Sequence, residues 1–301
     1  MIQYDKMITL LKKKRVTKSE MGKILGISSR TIAKISKGEK LSFNVLKKIA
    51  DYLSCSVDEL YEVVSDNKIL QRLKEEKQFG ISGGLYHELQ VRMTYNSNHI
   101  EGSTLTEDQT RLIFETKTID GDGILVDDIL ETVHHFRAID YCIDKAEEKL
   151  SEDMIKHIHY ILKHDTEEDS LDWFMVGNYK KRENMVGGME TTPVKDVSKE
   201  MKQLLMDYHK KSSITIQDII EFHVCFEKIH PFQDGNGRVG RLIAFKECLN
   251  HNIVPFIIED SKKMYYYRGL SKWDEEKGYL MDTCLDGQDS VYALLKMLHI
   301  E

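Results

Sequence analysis

The stretch His230-Pro231-Phe232-Gln233-Asp234-Gly235-Asn236-Gly237-Arg238-Val239-Gly240-Arg241 gathers a histidine, an aspartate, an asparagine and two arginines around its glycines. His230 is the side chain in it that readily takes a proton near neutral pH. Asp234 is a hard oxygen ligand, suited to a magnesium ion that bridges phosphates. Gly235 and Gly237 let the backbone turn sharply and come close to a ligand. The free N–H groups of that turn, and of the first turn of the following helix, form an anion cradle. Arg238 and Arg241 are three apart on that helix, so both can face the cradle, and their guanidinium forks match phosphate oxygens. Base, metal ligand and phosphate grip in one loop point to phosphate chemistry.

Helices must hold this loop. From about Ile219 to Ile229 apolar residues recur at helical spacing, and Leu242, Ile243, Phe245 and Leu249 resume the period beyond the motif. The loop is therefore a glycine-punctuated turn between two helices, with His230 at the end of the first.

The string resembles the signature of the Fic (filamentation induced by cAMP) family, His-Pro-Phe-x-Asp/Glu-Gly-Asn-Gly-Arg-x-x-Arg, at every fixed position. That resemblance implies transfer of AMP from ATP to a Ser, Thr or Tyr hydroxyl of a protein. It implies His230 as base, Asp234 as the Mg2+ ligand, Asn236 as the group that positions phosphates, and Arg238 and Arg241 as holders of the outer ones. Asp234 argues against the phosphorylating branch of that superfamily.

Upstream, Ser97-Asn98-His99-Ile100-Glu101-Gly102 reads on its own as a helix end closed by glycine. Beside the signature it resembles the family's inhibitory motif, Ser/Thr-x-x-x-Glu-Gly/Asn, placed ahead of the catalytic core. The resemblance implies that Glu101 pairs with Arg241. A carboxylate in that fork would occupy the place of a terminal phosphate and misalign the bond to be broken.

The 301 residues suffice for two domains, and 41% are apolar. Cys55, Cys142, Cys225, Cys248 and Cys284 have no paired spacing, so a reducing cytoplasm is expected rather than a disulfide framework or a zinc site. No basic region followed by an apolar run opens the chain and no long apolar run occurs, so neither secretion nor membrane spanning is expected. Charge is uneven: residues 1–62 hold 13 Lys/Arg against 7 Asp/Glu, while the whole chain is at -7. A basic head on an acidic body points to nucleic acid at the head alone.

Within the head, Thr17 and Glu20 make a capping box, Gly26 ends that helix, and Ser28 or Ser29 caps the next. Two short helices joined by Gly26-Ile27-Ser28 form a helix-turn-helix, which would present Ser29, Arg30, Thr31 and Lys34 to a major groove. The segment resembles the Cro/C1-type repressor domain over nearly its whole length, which implies DNA as a partner.

Ser65-Asp66-Asn67 breaks the pattern and Gly80-Ile81-Ser82-Gly83-Gly84 reads as a hinge, so residues 63–84 are expected to be a linker containing a short helical stretch near Ile69–Leu73. Between Phe174 and Val194 the helical period lapses, and a short hairpin fits best. It resembles the family's flap, Gly-x-Tyr-Arg followed by a variable strand and Gly-Gly, with Tyr179, Lys180, Met185 and Val186 at its positions and Lys180 in place of the usual arginine. That implies a surface on which a target segment adds as a strand. Near the C-terminus, Tyr265-Tyr266-Tyr267-Arg268 resembles the family's helices beside the nucleotide base, which makes Tyr266 or Tyr267 the candidate for stacking on adenine.

The expected fold is mainly α: a helix-turn-helix bundle over residues 1–62 and an all-helical body over 85–301 with a β-hairpin flap and an inhibitory helix at about 85–102. Targets include the chain itself, and a homodimer is among the expected assemblies. Competing readings are removal of AMP from a modified protein, another donor such as UTP, or a DNA-binding regulator whose body senses nucleotide.

Overall fold

A computed structural model describes residues 2–63, 67–187 and 189–300, so Ser65, Asp66 and Gly188 lie outside the described residues. The chain divides into two compact units, residues 1–66 and 67–301.

The first unit is a bundle of α1 (Asp5–Lys13), α2 (Lys18–Leu25), α3 (Ser29–Ser36) and α4 (Phe43–Leu53) around Met7, Met21, Ile35, Leu46, Ile49 and Leu60. Strand β1 (Ile2–Gln3) pairs antiparallel with β2 (Glu62–Val63), which ties the two ends of the bundle together. The expected boundaries rest on local chemistry. Thr17 and Glu20 form the reciprocal capping box of α2, Gly26 closes it at φ 63°, and it is Ser28 that caps α3 by accepting from the Thr31 N–H. On α3, Ser29 and Arg30 are exposed, Thr31 is drawn back by a 2.9 Å hydroxyl contact with Ser28, and Lys34 lies 4.0 Å from Glu39.

The second unit is helical apart from one hairpin. It comprises α5 (Lys68–Phe79), α6 (Leu85–Ile100), α7 (Glu107–Thr116), α8 (Val126–Asp144), α9 (Glu152–Lys163), α10 (Val194–His209), α11 (Ile216–Ile229), α12 (Asn236–Asn250), α13 (Lys263–Ser271) and α14 (Gly278–Met297). The hairpin is β3 (Met185–Val186) against β4 (Met189–Glu190). Where the sequence suggests a linker, α5 instead enters the core through Ile69, Leu70 and Leu73. Its buried Glu76 accepts the Tyr86 N–H at 2.8 Å, satisfying an orphan donor at the start of α6. That stretch is therefore part of the body.

Helix α12 is the axis of this unit. Nearly every residue from Asn236 to Leu249 is buried, as expected of a helix surrounded on all sides. Its polar members are neutralised in place: Lys246 lies 2.6 Å from Glu247, which also accepts the Tyr208 hydroxyl at 2.9 Å. Among the described residues no helix is long and apolar enough to cross a membrane.

Candidate active site

Helix α11 stops at His230, which takes a left-handed conformation (φ 50°, ψ 62°), and Pro231 prevents its continuation. Phe232 is fully buried and stacks on His159 with ring centroids 4.0 Å apart, anchoring the loop to α9. Asn236 then locks the turn: its Oδ1 accepts from the Phe232 N–H and its Nδ2 donates to the Phe232 carbonyl, both at 2.9 Å. Each end of its amide makes one bond to the loop, which leaves the second Nδ2 hydrogen and the second Oδ1 lone pair for another partner. Gly235 sits at φ 76°, a conformation that favours glycine, and α12 begins at the next residue.

Residue His230 is held with one ring nitrogen engaged and the other free. Its Nδ1 lies 3.3 Å from the Glu227 carbonyl, so the proton of the neutral imidazole belongs on Nδ1 and Nε2 keeps its lone pair. Burial pushes its pKa down to about 4, against the pull of that carbonyl, so the ring is neutral at physiological pH. An NMR titration of the wild-type imidazole should accordingly have its midpoint near 4 and be silent between pH 6 and 7. A midpoint at the ordinary histidine value would mean that the ring is solvated.

Residue Asp234 sits in a charged cluster that the sequence reading did not find. Its Oδ2 lies 2.9 Å from Lys163 Nζ and 3.4 Å from Arg238 Nη2. Lys163, 1% exposed, also holds Glu131 at 2.7 Å and Glu168 at 3.0 Å, and Glu131 takes Arg238 Nη1 at 2.5 Å. Burial opposes ionisation of Asp234, but Lys163 and Arg238 outweigh it and hold its carboxyl well below the usual carboxylate range. A magnesium ion bound with a nucleotide takes one or two carboxylates and completes its shell with phosphate oxygens and water. An ionised side chain that is still 51% exposed fits that arrangement. An all-protein cage is not present, since no group of three metal-ligating side chains occurs among the described residues.

The Lys163→Met substitution would leave three carboxylates to Arg238 alone and should cost about 3–5 kcal/mol of unfolding free energy in urea denaturation. Unchanged stability would mean that solvent already neutralises the cluster. No periodicity marks Lys163 as special, because Glu131 lies on α8 and Asp234 in the motif loop, both far from it in the chain. His159 was equally silent: its Nδ1 accepts the Gly177 N–H at 2.9 Å and its Nε2 lies 3.2 Å from the Asp234 carbonyl, which joins the start of the flap to the motif loop.

Arg238 and Arg241 do not converge. Arg238 turns to Glu131 and Asp234, whereas Arg241 turns to the end of α6. There Arg241 Nη2 lies 2.6 Å from Glu101 Oε1 and donates to the Ser97 carbonyl at 3.0 Å, while its Nε donates to Ser97 Oγ at 3.0 Å. The carboxylate rests directly on Gly237, where any Cβ would run into Glu101 Oε1. Gly102 follows at φ 105° and turns the chain away.

Tyr266 is not open to a ligand. It is 1% exposed, and its hydroxyl lies 2.7 Å from His223 Nε2 and 3.4 Å from Arg241 Nη1 beneath the motif helix. Tyr267 is 41% exposed and donates its hydroxyl to the Ile100 carbonyl at 3.2 Å. Of the two stacking candidates only Tyr267 has a free face. In the flap, Lys180 is buried and structural: its N–H donates to the Pro231 carbonyl at 2.8 Å, and its ammonium holds Asn184 and Thr191. Tyr179 packs on Phe232, whereas Met185 and Val186 stand exposed on β3.

Residues 149–247 match the Fic/DOC family, and residues 6–66 match the Cro/C1-type HTH DNA-binding domain. The chain carries a Fic domain. Relatives named protein adenylyltransferase Fic align along most of its length. The one from Nematostella vectensis is 28% identical over 222 residues, 69% of this chain and 50% of that protein. The one from Drosophila melanogaster is 26% identical over 224 residues, 72% of this chain and 42% of that protein. The chain thus spans half or less of the length of these relatives. Its fold is shared with a Fic domain-containing signaling protein from Bacteroides thetaiotaomicron (TM-score 0.61, 24% identity, 77% of this chain and 91% of that one). A Fic family protein from Desulfovibrio desulfuricans G20 is similar as well (TM-score 0.59, 22% identity, 79% and 77%). The Fic domain here is mainly helical with a short hairpin, and a helix-turn-helix domain precedes it in the chain.

Proposed function

We propose that the Fic domain transfers AMP from ATP to a Ser, Thr or Tyr hydroxyl of a protein, the chain itself included, and that Glu101 restrains the reaction. The observation that carries this reading is a neutral His230, its Nε2 lone pair free, in the same turn as an ionised Asp234. The hydroxyl oxygen attacks the α-phosphorus while its proton passes to His230 Nε2. The bond from that phosphorus to the bridging oxygen breaks, and pyrophosphate leaves. Magnesium held by Asp234 supplies charge neutralisation on the phosphate oxygens. The N-terminal amides of α12 and the Arg241 fork offer further donors to those oxygens, once Glu101 has left the fork.

Met185 and Val186, exposed on a two-residue strand, support docking of the target segment along β3. Tyr267 supplies the stacking face for adenine. Intact-mass measurement after incubating wild type and Glu101→Gly with ATP and magnesium, beside candidate targets, tests the reading. An added AMP mass in the variant supports it, whereas no nucleotide adduct on any protein rejects it.

The helix-turn-helix domain is proposed to bind DNA through Ser29 and Arg30, with Lys34 on phosphate. Its affinity should fall steeply between low and physiological salt, as counterion release requires, in a filter-binding or anisotropy series. Absence of binding at low salt, its own promoter region included, would assign the domain to protein contacts instead. The exposed α3 residues and the reducing surroundings suggested by scattered cysteines are consistent with a cytoplasmic location.

A further inference from the structure

A line of buried polar groups runs behind the base and ends at the inhibitory pair. Glu227 lies one turn before His230 on α11, and its Oε2 is 3.8 Å from His230 Nδ1. Its side chain is 13% exposed, and its Oε1 is sealed with no hydrogen-bond partner among the described residues. Glu227 Oε1 and His223 Nδ1 both face the bare Cα of Gly240 on α12, where the Gly240 backbone is the partner within reach of His223. From His223 Nε2 the line passes to the Tyr266 hydroxyl at 2.7 Å and to Arg241 Nη1 at 3.4 Å, and Arg241 holds Glu101.

A carboxyl oxygen sealed without a partner beside the proposed base calls for a reason, because leaving it so costs free energy. The geometry points to Glu227 as the positioning residue of His230, through which the Glu101–Arg241 pair acts on the base as well as on the phosphate site. This inference rests on the proposed AMP transfer and its restraint by Glu101. The groups facing Glu227 are Arg241 on α12, Glu101 after α6, Tyr266 and Tyr267 on α13, His223 on its own helix and His230 at that helix's end, while Lys180, Asp234 and Glu101 itself also bear on His230. With Glu101 docked, burial raises the Glu227 pKa to about 8, opposed by Arg241 and reinforced by Glu101. Glu227 is then mostly neutral at physiological pH and offers an imidazolium no counter-charge.

In the nucleotide-free enzyme, departure of Glu101 removes a like charge and leaves Arg241 to its neutral Ser97 and Tyr266 partners, and both changes favour the Glu227 carboxylate. The Glu227 carbonyl already fixes the tautomer, and a carboxylate 3.8 Å away on the Nδ1 side stabilises the imidazolium formed when Nε2 takes the hydroxyl proton. Docking of Glu101 thus weakens the base, and its release strengthens it.

The test compares Glu101→Gly with Glu101→Gly/Glu227→Gln and Glu101→Gly/Glu227→Asp in the full chain. Glutamine preserves shape, so a packing role would survive it. The expected result is a kcat lower by about 10- to 100-fold for the glutamine variant, with the KM for ATP unchanged and partial recovery with aspartate. In parallel, the NMR midpoint of His230 should move upward from wild type to Glu101→Gly, because a nearer Glu227 carboxylate outweighs the direct loss of the Glu101 charge, and should fall back with Glu227→Gln. A kcat unchanged by Glu227→Gln overturns the inference. Should the double variants not fold, the midpoint in Glu101→Gly alone decides, and no upward shift from wild type overturns it. If Glu101→Gly transfers no AMP, the proposed function fails by itself, and the imidazole titration still decides this inference.

Discussion

Glu101→Gly should raise AMP transfer by about 100-fold or more, the scale on which a misplaced reacting group slows an in-line reaction. The ion pair it removes is short, 2.6 Å from Arg241 Nη2 to Glu101 Oε1, and the carboxylate lies against the first turn of α12 at Gly237. A negative charge there competes with phosphate for the same donors. Loss of the side chain leaves Arg241 anchored by Ser97 Oγ and the Ser97 carbonyl, with Tyr266 at 3.4 Å. The guanidinium therefore stays in place, and the folded body should lose only about 1–3 kcal/mol, readable in thermal unfolding. Label incorporation measured over a range of ATP and magnesium concentrations checks the rate. Transfer equal to that of wild type under every condition would show that Glu101 is a structural partner of Arg241 and nothing more.

His230→Ala in the Glu101→Gly background should lower transfer by about 100- to 10,000-fold, the usual contribution of a positioned general base. Nucleotide binding should persist, because the donors proposed for the phosphates are the α12 amides and Arg241. The two measurements separate chemistry from binding: calorimetry with ATP and magnesium should give similar affinity in both proteins, while single-turnover transfer collapses in the alanine variant. The loop itself should survive, since Phe232 is held by His159 and by both ends of Asn236 rather than by the imidazole. Normal transfer without the imidazole would remove the base assignment altogether.

The parts of this site that can be read from sequence are those whose chemistry is local. The turn from His230 to Arg241 is bounded by two helical periods, and Pro231 and Gly235 act on their own backbone, so the loop was legible residue by residue. The same holds for the caps at Thr17, Ser28 and Gly26, which satisfy donors and acceptors within a few positions. Burial of nearly all of α12 was only partly legible, because its apolar period marks a core face and says nothing of the charged Arg238, Lys246 and Glu247. Neutralising partners decided their burial.

Distance along the chain hid the rest. Lys163, Glu131 and Asp234 meet only because α8 and α9 lie beside the motif loop, and no spacing within any one segment could announce that cluster. Tyr266 and Tyr267 are neighbours in sequence, yet successive residues on a helix point in directions about 100° apart. Which one faces core and which faces solvent depends on how α13 lies against α11 and α12, and Tyr266 is the one buried. Arg238 and Arg241 share a helix face by count, but the acids on either side of α12 pull them apart.

The sequence by itself determined most of the helices and the turn that carries His230, Asp234 and the first amides of α12, since these follow from backbone periodicity and from residues within one turn of each other. Only the tertiary structure decided the partners: that α5 belongs to the core, that Asn236 and Lys180 brace loops, and that Glu101, Arg241, Tyr266, His223 and Glu227 form one line behind His230. Those contacts join segments far apart in the chain, and the packing of whole helices, not any local rule, sets their geometry.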